Sequence, residues 1–295
     1  MCVHFKRGRS VVADVSPTVR QRELGMRLRQ LRADKGLTVE DVAGRLLCSA
    51  TKVSRAETGA RRPTLRDVRD LCQIYEVDDE TSAELMKLAR QAREPGWWMA
   101  YDDRTLFSPF VGMEQDATAI TCFGMYFVPA LLQTEDYARE IIKGIVPKIG
   151  PDILRQRVEA RMRRQQLLDE PKPPRYRALL DEAVLHRQVG GPAVMKAQLE
   201  KLLLLIQEEK ATIQVIPFDV GAHAAADSNF DYLEFDGSPL PGLVFVESLV
   251  IQLYLDRPDQ LKRYAEALEY LRDEALSPRD SAKRIEDIRD GTASS

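Results

Sequence analysis

The residues with the most evident chemistry lie between Thr38 and Pro63, in the string TVEDVAGRLLCSATKVSRAETGARRP. Ser49 stands where it can cap a short helix. On that helix Val53 and Ala56 turn inward, while Ala50, Thr51, Lys52 and Arg55 are left on the outer side. Those four side chains suit base edges. Arg and Lys fit guanine O6 and N7, Thr can hydrogen-bond or touch a thymine methyl, and Ala makes only apolar contact. Arg61 and Arg62 follow closely and concentrate positive charge beside the same helix. A module that bound only protein would leave this cluster without a purpose, so the expected partner is double-stranded DNA.

A helix offered to a DNA groove needs a scaffold behind it. Thr38 supplies an N-cap hydroxyl with Asp41 at capping-box distance, and Val42, Ala43 and Leu46 then share one face. Ala43 is small enough to sit where two helices cross steeply. Upstream, Leu24, Leu28 and Leu31 recur at i, i+4 and i+7, and Gly36 stands where that helix would end. Downstream, Pro63 opens a helix at Thr64 with Val68, Leu71, Cys72 and Tyr75 on its core face; Leu85, Leu88, Ala89 and Ala92 mark a fifth helix. The pattern predicts an all-α head of five helices over residues 20–93.

Residues 22–93, through the string LTVEDVAGRLLCSATKVSRAETGARRP, resemble the helix-turn-helix domain of the xenobiotic-response-element family, to which the lambda-type phage repressors belong. The resemblance implies that the helix beginning at Ser49 is the recognition helix. Ala50, Thr51, Lys52 and Arg55 would face bases, and Ser49, Arg61 and Arg62 would contact phosphates. It also implies that Glu57 pairs with Arg32 as a structural brace. Two positions depart from the family. Leu47 occupies the turn where glycine is usual, and a left-handed conformation there costs a leucine roughly 1–2 kcal/mol, so the turn is either strained or built differently. Val39 replaces a glutamine that often touches phosphate, which removes one backbone contact.

Charge is divided along the chain. Residues 1–93 carry 19 Lys and Arg against 13 Asp and Glu, whereas 94–295 carry 24 against 33. A basic head on an acidic body confines the electrostatic footprint to one end. With 295 residues and 44% hydrophobic content, the chain can build a small bundle and a larger core. No apolar run approaches a membrane span, and residues 1–19 read as a disordered basic tail without the apolar stretch of a secretory signal. Cys2, Cys48, Cys72 and Cys122 form no CxxC pair and only three histidines accompany them, so neither a metal site nor a cofactor is expected. Reduced thiols in a cytoplasmic protein are the simplest reading.

Glu94-Pro95-Gly96 ends the head, and an aromatic linker over 94–111 follows with Trp97, Trp98, Tyr101, Phe107, Phe110 and Val111, expected to pack between the domains. Residues 112–288 read as an α+β domain with a mostly antiparallel sheet, and 289–295 as a disordered tail. Strands are expected at 177–181, 212–217, 230–235 and 243–255, with hairpin turns at Asp236-Gly237 and Pro241-Gly242, and 120–128 reads as a strand or as the end of a helix running into one. Helices are expected at 134–143, 152–168 and 192–209.

The blocks VPALLQTEDYAR, RMRRQQLLDEP, LLDEAVLHRQVGG, VIPFDVGAH and LYLDRP, in this order, resemble the C-terminal domain of a large actinobacterial group of regulators typified by WhiJ. The resemblance implies a regulator of development or secondary metabolism, often antitoxin-like and paired with a small acidic partner protein. It brings no catalytic residue. Within these blocks Arg157, Arg161 and Arg164 form a stripe that could hold a carboxylate or phosphate, though a solvated, ion-paired face is the simpler reading. Asp181-Glu182 with His186 reads as a helix cap rather than an acid and base. The stretch from Gly221 through His223 to Ser228 has no nucleophile context; it reads as a connection between strands, or as a hinge over a small-molecule pocket. Together these features predict a non-enzymatic, DNA-binding transcriptional regulator. It would be homodimeric, since one recognition helix covers few base pairs, and its C-terminal domain would receive a partner protein or a small-molecule effector.

Overall fold

The computed structural model describes residues 19–94, 96–101, 109–236, 240, 242–249 and 251–292. Residues 1–18 of the expected basic tail, Phe107, Gly237 and Pro241 lie outside the described residues, and Val19, expected as the last residue of that tail, begins a helix. The chain forms two compact units that divide between residues 95 and 96.

The first unit is helical: α1 (Val19–Asp34), α2 (Val39–Arg45), α3 (Ala50–Glu57), α4 (Leu65–Ile74) and α5 (Asp79–Gln91). Local chemistry sets each of the last four starts. Thr38 with Asp41 and Thr64 with Asp67 form capping boxes, and Ser49 and Asp78 accept from the N3 amides of α3 and α5. The apolar faces of all five helices meet in one core containing Leu24, Leu28, Val42, Val53, Val68, Leu71, Tyr75 and Leu85. Ala43 is buried in that core. The tightest approach lies elsewhere, at Gly25 on α1, where a Cβ would sit 2.6 Å from the Glu57 carbonyl oxygen and 2.7 Å from that of Ala56. No side chain larger than hydrogen fits between α1 and the end of α3.

The second unit is an α+β domain with a six-stranded mixed sheet in the order β3-β2-β1-β4-β5-β6. β1 (Ala119–Gly124), β2 (Arg175–Asp181) and β3 (Thr212–Ile216) run parallel, while β4 (Phe230–Glu234), β5 (Leu243–Glu247) and β6 (Gln252–Leu255) extend the sheet by three antiparallel pairings. The helices are α6 (Pro109–Asp116), α7 (Glu135–Ile145), α8 (Pro151–Gln165), the single turn α9 (Ala183–His186), α10 (Pro192–Gln207), α11 (Pro258–Glu274) and α12 (Pro278–Thr292). β1 to β2 and β2 to β3 are crossover connections, as parallel neighbours require.

Several boundaries differ from the sequence pattern. β1 stops at Gly124, because the next amide, Met125, bonds to Asn229 Oδ1 at 2.8 Å instead of continuing the ladder. The apolar run 243–255 is a hairpin rather than one strand, closed by Ser248 N to Ile251 O at 2.9 Å. Two further helices, α11 and α12, follow it. α12 reaches Thr292 and so enters the stretch expected as a disordered tail; Ser281, fully buried on it, donates its amide to Ser277 and accepts from Val215 N at 2.9 Å. The end of the aromatic segment belongs to α6, and Trp97 bonds within the second unit, to Gln115 Oε1 at 3.0 Å.

Candidate nucleic-acid interface

The turn between α2 and α3 closes as a Schellman motif. Leu47 N bonds to Gly44 O at 3.3 Å and Cys48 N to Ala43 O at 3.0 Å. The closure places Leu47 in the left-handed region, with φ 52°, and leaves its side chain 93% exposed. Leucine therefore takes the backbone conformation for which glycine is suited, without a packing gain in return. The same hydrogen-bond pair ends α1 at Gly36, α4 at Glu76 and α10 at Glu209, each with positive φ.

Beyond the turn, Ser49 Oγ accepts from Lys52 N at 3.2 Å and starts α3. Val53, Ala56 and Glu57 face inward. Thr51, Ser54 and Arg55 are exposed on the opposite side, with Ser49 exposed just before them. Ser54 is the member of this surface that the residue pattern did not single out, although it follows Thr51 by three positions and so shares its face. Ala50 is partly buried against the head core. Lys52 is also half-buried. Its Nζ lies 2.7 Å from Asp67 Oδ1 on α4, so reading a base would require it to leave that carboxylate. Burial raises the pKa of Asp67, but the bonds from Lys52 and Thr64 outweigh burial and hold it below the ordinary carboxylate value.

After α3, Arg61 is exposed and Arg62 half-buried. Arg62 Nε donates to Gln21 Oε1 at 3.2 Å, and Gln21 in turn donates to Gly59 O at 2.8 Å, so the segment after α3 is tied to α1. Burial and the neighbouring Arg93 push the Arg62 guanidinium below its usual range. Arg32 donates to Glu57 twice, Nε to Oε1 at 2.7 Å and Nη2 to Oε2 at 3.0 Å, and a third bond reaches Leu37 O at 2.7 Å. With 15% and 5% of their side chains exposed, this pair lies inside the head. Bonding to Glu57 raises the Arg32 pKa further.

In the second unit, Asp181 Oδ1 accepts from Ala183 N at 2.8 Å, and Glu182 accepts from Phe218 N at 3.1 Å and from Arg284 Nη1 at 2.6 Å. Both acids hold backbone and helices together. His223, with only 4% of its side chain exposed, lies 3.6 Å from Asp181 Oδ2 and edge-on to Phe123. The loop from Gly221 is thereby fastened to the sheet, contrary to a free hinge. Among the described residues no group of His, Cys, Asp or Glu could hold a metal ion, and no helix is long and apolar enough to cross a membrane.

Residues 23–85 match a helix-turn-helix domain family, and residues 107–287 match the family described as a domain of unknown function, DUF5753. No curated protein matches the chain. Among solved structures, the crystal structure of the clp gene regulator ClgR from C. glutamicum is similar at 23% identity, over 26% of this chain and 97% of that chain, with a TM-score of 0.22.

Proposed function

The chain belongs to the family of the domain of unknown function DUF5753, and we propose that it is a sequence-specific DNA-binding transcriptional regulator of the WhiJ-like group, acting as a homodimer. The observation that carries this reading is the exposed face of α3, where Thr51, Ser54 and Arg55 stand together behind a capped helix start and beside Arg61. Arg55 reads guanine and Thr51 and Ser54 supply adaptable hydrogen bonds, while Ser49, Arg61 and Arg62 meet phosphates. Lys52 serves the α3–α4 contact first. Two copies on matched half-sites supply the specificity that one short helix lacks. The C-terminal domain assembles the dimer and receives the signal.

Selection of bound fragments from a random DNA library by the full chain tests this. A two-fold symmetric motif that Arg55→Ala degrades is the expected result; the absence of any enriched motif defeats the reading. A second reading, a chain that binds a small acidic partner protein and controls its own operon, draws support from the exposed Leu249, Ile251 and Leu253 at the β5–β6 hairpin. Stoichiometric co-purification of a small protein favours it.

A further inference from the structure

The cations around α3 are not equally offered to DNA. Arg61 is exposed, whereas Lys52 Nζ lies 2.7 Å from Asp67 Oδ1, with only 27% and 14% of the two side chains exposed. The pairs Arg27–Glu84 and Lys35–Glu76 elsewhere in the head leave more of both partners in solvent. Asp67 is fixed on its other side as well, because Oδ2 accepts from Thr64 N and Asp67 N donates to Thr64 Oγ1, both at 3.0 Å. A carboxylate locked into the start of α4 cannot swing outward with Lys52. Both residues line a cleft between α3 and α4 with Leu46, Val53, Ala56 and Leu71. At about 10 Å³ it holds no more than one water, so the pair serves no larger ligand there.

Lys52 is the third residue of α3, next to Thr51 and three before Arg55. On an isolated α3 it would count among the cations offered to a groove. Leaving Asp67 exchanges a short contact sheltered by the head for one in a hydrated groove, where the attraction between charges is weaker. It also strands a largely buried carboxylate without its cation, beside the helix that meets a polyanion. Both costs keep Lys52 where it is. With DNA bound or absent, the pair then adds no net charge to the interface.

We propose that Asp67 is a positioning residue for DNA recognition: by holding Lys52 against α4 it withdraws that cation from the DNA footprint and leaves reading to Thr51, Ser54 and Arg55. The inference rests on the reading of α3 as the helix that meets DNA and specifies which of its side chains read. A released lysine would offer a flexible point charge to any phosphate, or to any guanine O6 or N7, within its reach. Threonine, serine and arginine present directional hydrogen bonds instead. Withdrawing Lys52 therefore favours sequences that match those bonds over sequences that supply charge alone.

Binding of the full chain at several salt concentrations, to a duplex of random sequence and to any motif the native chain selects, is the test. The neutral double variant Lys52→Met/Asp67→Asn should keep the native salt slope and motif, since it removes a pair that DNA does not meet. Asp67→Asn alone retains an acceptor for Thr64 N but releases Lys52, and should steepen the slope by roughly one unit. The difference between these two variants belongs to Lys52. Asp67→Ser replaces the single variant if asparagine prevents folding. A double variant whose slope falls by about one unit, or whose motif loses a position, shows that Lys52 already touches DNA and overturns the proposal. An unchanged slope in the single variant, or a head unfolded with both asparagine and serine, overturns it as well. Slopes on random duplex need no motif. Slopes that behave as expected in a chain that selects no motif defeat the regulator reading alone, and a selected motif with unresponsive slopes defeats the role of Asp67 alone.

Discussion

Asp67 uses its two oxygens on two different elements: Oδ1 lies 2.7 Å from Lys52 Nζ on α3, and Oδ2 accepts from Thr64 N at 3.0 Å. One carboxylate therefore starts α4 and ties that start to the candidate recognition helix. It also takes Lys52 away from the surface that Thr51, Ser54 and Arg55 form.

Asp67→Ala should cost about 1–2 kcal/mol through the lost capping box and the lost tie to α3. The sign with pH follows from the lowered pKa of Asp67. Its contribution is present above the ordinary carboxylate value and disappears as pH falls through the lowered one. Hydrogen exchange of head amides across an acid titration reads both effects. Unchanged protection in the variant would mean that Lys52 and Thr64 find other partners.

Arg32→Ala leaves Glu57 buried with no cation, since both guanidinium bonds to it come from Arg32. The loss should reach about 3–5 kcal/mol, the range for breaking one side of a buried pair. Head amides would then exchange rapidly while those of β1 and β2 stay protected. A head that remains at native stability would show that Glu57 is relieved by solvent or by protonation.

Leu47→Gly should stabilise the head by about 1 kcal/mol, because glycine occupies the left-handed region without the Cβ penalty and the exposed leucine contributes no packing. Part of the gain is offset by the greater freedom of glycine in the unfolded chain. Glu76→Gly is a weaker case, since Glu76 also bonds to Lys35 Nζ at 2.9 Å. Chemical denaturation of the two variants should rank them in that order; a destabilised Leu47→Gly would mean that the side chain has a role within the folded head.

The head was legible because its signals are local. The capping box at Thr38, the helix start at Thr64, the inward Val53 and Ala56, and the stop at Gly36 each need only a few neighbouring residues. Gly25 was not legible, since its role is set by Glu57 and Ala56 carbonyls far along the chain. The engagement of Lys52 was hidden for the same reason: an exposed-face position on an isolated α3 becomes a tertiary contact once α4 is placed. In the second unit, periodicity located most strands but not the parallel order of β1, β2 and β3, which the crossover helices impose.

Arg55→Ala should flatten base preference at one or two positions of the selected motif, at a cost of about 1–3 kcal/mol per site on the preferred sequence. Arg61→Ala should weaken all sequences alike and reduce the salt slope of binding by roughly one unit. Arg62 is tied to Gln21, so Arg62→Ala should combine that loss with a lower head stability. Binding isotherms at several salt concentrations separate the three. An Arg55 variant with native preference would remove α3 from the role of reader.

Asp231→Asn should stabilise the chain near neutral pH and make little difference in mild acid. Burial raises the Asp231 pKa from 3.8 to about 6, so the folded chain holds this proton more tightly than the unfolded chain. Its stabilising contribution is full below the unfolded value and is lost as pH rises through about 6, a swing on the order of 3 kcal/mol. Near neutral pH the native carboxylate is then ionised in a site without a hydrogen-bonded cation, and the asparagine variant should unfold at a higher temperature. In mild acid, where the native acid is protonated, the two should converge. Tm measured across this range decides it, and a variant less stable than the native chain at neutral pH would show that ionised Asp231 has a cationic partner after all.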